Sequence, residues 1–142
     1  MKFLFIILSL VFLDNSCSSS KINQDAIVLE YSASSRSFYK KITVNRKAIL
    51  TVNKRDNSPI SNTCSSNNWD TLIKKLESID VQNIANLEAP SKDFLFDGAA
   101  MARLKIIYNG TTYETQPFDH GKPHENIAAL VKEMLSISEN IE

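Results

Sequence analysis

Both histidines of the chain fall in one short segment, Phe118-Asp119-His120-Gly121-Lys122-Pro123-His124. Imidazole and carboxylate are ligands for zinc and similar divalent ions. The spacing matches no metal motif, because Gly121 and Pro123 keep His120 and His124 off a common helix face. The plainer expectation is a structural loop. Asp119 stabilises the turn, Gly121 takes an unusual backbone angle, Pro123 opens a helix, and the histidines are solvated or hydrogen-bonded. A second candidate is Phe96-Asp97-Gly98-Ala99-Ala100. Small residues there permit close backbone approach, and Asp97 is placed to bind or catalyse; the simpler reading is a tight turn leading into a strand. A third is the serine-rich stretch 32–37 with Arg36, a surface turn or a recognition loop.

The elements that must position these groups are readable in outline. Ile27, Leu29 and Tyr31 alternate with polar or outward residues, a period of two. Phe38, Ile42 and Val44, then Ala48, Leu50 and Val52, continue as two more strands of a meander. Lys54 to Pro59 is rich in turn residues, and a short edge segment is expected before Cys64. Trp69, Leu72, Ile73, Leu76 and Ile79 recur at helical spacing, with Asn67 as the expected N-cap and Asp70 three residues on. Trp69 reads as a core anchor. Residues 81–97 lack a period.

Tyr108-Asn109-Gly110-Thr111 is a two-residue hairpin turn, since Asn-Gly accepts the positive φ angles such a turn needs. It pairs Ile106 with Tyr113 and Lys105 with Glu114. Extended further, the same register sets Met101 opposite Phe118. The Asp97 segment and the His120 loop are then neighbours, giving a candidate binding cleft of Asp97, Asp119, His120 and His124. The final helix carries Ile127, Leu130, Val131, Met134 and Leu135, with Pro123 in its first turn. The order β-β-β-α-β-β-α with short connections implies an α+β fold, an antiparallel sheet with two helices on one face.

Sixteen basic and sixteen acidic side chains leave no net charge, so the excess expected of a nucleic-acid binder is missing. Nothing calls for a cofactor or a resident metal, and no residue is assigned as catalytic. Cys64 has no partner for a disulfide if Cys17 is modified or removed, and it reads as a small buried hydrophobe.

The first residues suggest a destination. Met1-Lys2 is basic, Phe3 to Leu13 is apolar apart from Ser9, and Asp14-Asn15-Ser16 leads to Cys17. That is the layout of a signal peptide over residues 1–16, too short to span a bilayer, which takes about 20 apolar residues. With Ser18-Ser19-Ser20-Lys21 following, the segment resembles the precursor of a bacterial lipoprotein. The resemblance implies cleavage before Cys17, a lipid on Cys17, a polar tether over 17–25 and one domain over 26–142. The family prefers Leu three residues before the cysteine and then two small residues; here Asp14 and Asn15 fill the first two of those places, and Leu13 lies one position too early. Cleavage after Ser18, giving an ordinary secreted protein, is the alternative.

The Trp-led helix, the Asp97-Gly98-Ala99-Ala100 segment, the Asn-Gly hairpin and the junction at His120 are similar to those of small Gram-negative envelope lipoproteins to which no activity is assigned. The resulting expectation is a non-enzymatic envelope protein, attached to membrane by its N-terminal lipid, that binds an envelope protein or other ligand there. Two alternatives are a small metal-dependent or acid–base hydrolase using Asp97, Asp119 and His120, and a periplasmic enzyme inhibitor presenting residues 32–37.

Overall fold

A computed structural model describes residues 23–140. The signal peptide, Cys17 and most of the tether lie outside the described residues. The fold begins earlier than the expected boundary at 26. Asn23 caps a 3-10 turn over Gln24–Ala26, and the Gln24 side chain accepts a hydrogen bond from the Trp69 indole N–H at 3.1 Å.

Seven antiparallel strands form one sheet: β1 Val28–Ser34, β2 Tyr39–Val44, β3 Ala48–Val52, β4 Ile60–Thr63, β5 Met101–Tyr108, β6 Thr111–Glu114 and β7 Phe118–Asp119. Their order is β4-β3-β2-β1-β5-β6, and β7 also pairs with β5. Two main helices, α1 Ser66–Glu77 and α2 Glu125–Glu139, complete the expected α+β fold, in roughly the expected order but with β4 and the short β7 added to the five strands expected. The unperiodic stretch 81–97 holds two 3-10 turns, Val81–Asn86 and Asp93–Phe96.

Period-two alternation decides which face is covered. Leu29, Tyr31 and Ala33 of β1 stand beside Ile42 and Val44 of β2 and Ala102, Leu104 and Ile106 of β5, all buried. On β3 the inward positions are Ile49 and Thr51, the opposite parity from the Ala48-Leu50-Val52 stripe. The helices lay Trp69, Leu72, Ile73 and Leu76, and Ile127, Leu130, Val131 and Met134, against this one core. Cys64 is buried within it, and burial raises its thiol pKa. The outer face is polar. Glu30 lies between Lys41 at 3.0 Å and Lys105 at 3.4 Å, and Glu114 meets Arg103 at 3.3 Å. Half-exposed pairs of this kind add little stability.

Three local expectations are corrected. The N-cap of α1 is Ser65, whose hydroxyl accepts from Asn68 N–H, so the helix starts before Asn67. Pro123 precedes the cap of α2 and is outside the helix. The hairpin register holds from Tyr108↔Thr111 to Lys105↔Glu114 and then slips by one, so Met101 faces Asp119 and Ala102 faces Phe118. The slip has a chemical cause. At Leu104 the ladder acceptor is the Thr115 hydroxyl, at 3.1 Å, and Pro117 has no N–H to continue the ladder.

Thr51 is 2% exposed, and its hydroxyl has no partner among the described residues. A buried polar atom without a hydrogen bond is a net cost. Thr51→Val, nearly the same shape, is expected to raise stability by about 1 kcal/mol. Urea denaturation is the measurement; a loss of stability in the variant means the hydroxyl has a partner.

Candidate functional site

Asp119 and His120 lie at one end of the sheet, where β1 ends, β2 begins and β5 begins. Asp119 is fully buried. Its carboxylate accepts from the Ser91 hydroxyl at 2.5 Å and from the backbone N–H groups of Asp93 at 3.0 Å and Phe94 at 2.8 Å. It therefore closes the start of the 93–96 turn, whose first N–H groups have no acceptor within the turn. Burial pushes the Asp119 carboxyl up. The bonds from Ser91, Phe94 and Asp93, with the Lys122 charge nearby, outweigh it and hold the pKa below the usual carboxylate value.

His120 bonds through its backbone N–H to the Ala100 carbonyl at 2.9 Å. Its Nδ1 is 2.8 Å from the hydroxyl of Tyr31, a fully buried residue of β1. Burial pushes the Tyr31 pKa up to about 12, and the Gly121 backbone N–H acts in the lowering direction. The phenol and the imidazole can each donate or accept in this bond, so the two side chains satisfy one another inside the fold. The Phe38 ring covers the imidazole at 4.9 Å between centroids. Burial lowers the His120 pKa, and the Lys40 charge lowers it further; Glu139 acts the other way.

The sign of the pH effect follows. The unfolded chain takes up its histidine proton near the ordinary value of 6.5, and the folded chain only at lower pH. The stability from neutral His120 is complete above 6.5 and is lost as pH falls from there through the lowered folded value. Wild type is therefore expected to lose more stability between pH 7.5 and pH 5.5 than His120→Gln does. Chemical denaturation at both pH values tests it, and a smaller loss in wild type contradicts it.

The other two candidates stand apart. Asp97 ends the 93–96 turn in the left-handed region at φ 58 and is exposed; its nearest charge is Arg36 at 3.8 Å. His124 is the N-cap of α2, its Nδ1 accepting from Asn126 N–H at 3.2 Å. The slipped register brings Asp119 and His120 against the start of β5 and the preceding small residues. It does not bring the Asp97 carboxylate or the His124 ring into hydrogen-bonding contact with them. Among the described residues, no group of three His, Cys, Asp or Glu side chains is close enough to hold a metal ion.

Sequence reasoning missed Tyr31, Ser91 and Phe38. Tyr31 had one usable signal: it lies on the inward parity of β1, and a buried phenol needs a partner. Ser91 and Phe38 carry none, because their roles depend on contacts made across the fold. The first half of stretch 32–37 is strand, and residues 35–38 form a turn closed by Ser35 N–H to the Phe38 carbonyl at 2.8 Å.

The same end of the sheet holds the exposed large apolar side chains. Phe96 is 86% exposed, Leu95 62%, Ile60 51%, Met101 40% and Phe38 37%. They come from two separate connections and from the first residues of β4 and β5. No protein-family model matches this chain, and no curated protein or solved structure matches it either.

Proposed function

We propose that this chain is a non-catalytic binding module of the cell envelope, held at a membrane by lipid on Cys17 and binding its partner through the end of the sheet that carries Phe38, Leu95 and Phe96. The observation behind this reading is the gathering of five exposed large apolar residues at that one end. Several large apolar side chains left exposed at one end of a domain make that end a candidate interaction surface. The catalytic alternative finds less support. Asp119 has three donors on a buried carboxylate, His120 is tied to Tyr31, and Asp97 faces Arg36. An acid–base pair needs groups that reach a substrate.

The N-terminal half of the proposal rests on the signal layout and Cys17. Wild type is expected to take up a fatty-acid analogue, and Cys17→Ser to take up none. The binding half is tested by a photo-crosslinking residue at Phe96, with one at Arg46 as control, since Arg46 lies in the β2–β3 turn at the opposite end. Adducts of any class at position 96 and few at 46 are expected in intact envelopes. An unlabelled wild type refutes lipidation, and equal adducts at both positions refute the binding end.

A further inference from the structure

The chain as a whole is neutral, yet its charges are not evenly spread. Arg36, Lys40, Lys54, Arg55, Lys92 and Lys122 all lie at the end that carries the exposed apolar residues. The acidic residues at this end are Asp56, Glu88, Asp93, Asp97 and the buried Asp119, with Glu139 near enough to act on His120. Two of these are already matched, Asp97 by Arg36 and Asp93 by Lys122. Lys40, Lys54 and Lys92 make no ion pair among the described residues. The positive charge is therefore local to the β1–β2 and β3–β4 turns, where Arg36, Lys54 and Arg55 stand together beside Phe38.

The cations also frame a cleft. The β1–β2 turn and the β3–β4 turn face each other across a small hollow. Arg36, Ser37, Lys54 and Arg55 line it, together with Asn53 and the backs of Phe38 and Tyr39, and no carboxylate is in the lining. Arg55 is fixed there rather than free. Its guanidinium donates to the Ser35 carbonyl at 2.8 Å and lies 5.9 Å from the Tyr39 ring centre. Three cations and a hydroxyl around one hollow are the donor set for a phosphate oxygen.

We infer that this end of the sheet docks on a lipid surface with anionic phosphate headgroups. The cleft between the two turns takes a headgroup phosphate while Leu95, Phe96 and Phe38 enter the layer beneath. The inference rests on the binding end proposed above and names its partner. Charge complementarity selects an anionic surface, since cations near such a membrane each add to binding and the attraction is screened by salt. Shape selects lipid over an acidic protein. The apolar side chains stand out singly from separate connections, and the one hollow among them is polar. A protein partner would need a matching concave surface, whereas a fluid headgroup layer closes around protruding side chains. β1 runs toward this end from the end where the chain enters the sheet, roughly 20 Å for seven residues. Docking there is thus separate from attachment through Cys17.

The test places an indole at the tip of the full chain by Phe96→Trp and adds vesicles whose acyl chains are brominated. Bromine quenches an indole only at contact depth, so the readout reports the tip whatever the N-terminus does. Trp69, buried in the core, serves as the unquenched internal standard. Quenching is expected with phosphatidylglycerol vesicles, with little in phosphatidylcholine vesicles, and it should weaken at high salt. In the same background Arg36→Glu with Lys54→Glu, both at exposed turn positions, should lower the affinity by about 25-fold or more, about fivefold for each cation removed from an anionic surface. No quenching by either vesicle overturns lipid docking. Equal quenching by both, or an unaffected double variant, overturns the phosphate cleft. If crosslinks at position 96 are still found and are confined to protein, the binding end stands and only its lipid partner is refuted. If position 96 crosslinks no more than position 46, the binding end itself falls.

Discussion

Asp119→Ala should lower the melting temperature by roughly 10 °C or more, because it strips three donors of their acceptor inside the fold. The carboxylate is fully buried and accepts from Ser91, Asp93 N–H and Phe94 N–H. Alanine leaves two backbone N–H groups at the head of the 93–96 turn without an acceptor, and a shielded orphan donor forfeits its hydration with nothing in return. Asp119→Asn keeps the shape but removes the charge and turns an NH2 toward those donors, so it should fall between wild type and alanine. Acid has a related effect. The folded carboxyl titrates below its usual value, so the stability it supplies is present above that value and disappears as pH falls through the folded one. Thermal melts of the three proteins at neutral pH decide the matter. A wild-type melt in Asp119→Ala would mean that the turn is held by something other than this carboxylate.

How far the sequence led toward that residue depends on the range of the interactions. Asn109 and Gly110 take φ 50 and φ 77, as a two-residue hairpin demands, and the pairing they impose holds for four residue pairs. Local chemistry of that kind reads directly. The one-residue slip beyond Lys105↔Glu114 arises when the Thr115 side chain replaces a backbone acceptor, a choice made by the folded neighbourhood and not by a pattern. Asp119 was expected to brace its own turn. It braces one formed more than twenty residues earlier, inside a stretch with no periodicity at all. The partner of His120 lies 89 residues away on β1, where Tyr31 shows only as another inward position. Helix starts failed for a smaller reason. Ser65, Asn67 and His124 can all cap, and the choice among neighbouring polar residues is made by where the chain leaves the sheet.

Trp69→Ala should cost about 3–5 kcal/mol, the range for removing a large aromatic from a packed core. The indole is 2% exposed, leads the apolar face of α1 and ties that helix to the first turn through Gln24. Against a total stability of about 5–15 kcal/mol this is a large fraction. Trp69→Phe, which keeps much of the ring, should cost less and remain measurable if the alanine variant is too weak to purify. The two lesions are expected to differ in kind. Trp69 anchors α1 and the entering chain through Gln24, whereas Asp119 bonds the 93–96 turn directly. Hydrogen exchange separates them. The amides of Asp93 and Phe94 should lose protection in Asp119→Ala even under conditions where the core stays folded. In the Trp69 variants they should exchange only as fast as global unfolding allows, because local opening and global stability are distinct free energies. If Trp69→Phe released those two amides ahead of the core strands, the end that carries Leu95 and Phe96 would not be an independent local structure. Its apolar side chains would then be ordered by the helix layer rather than by the Asp119 carboxylate beneath them.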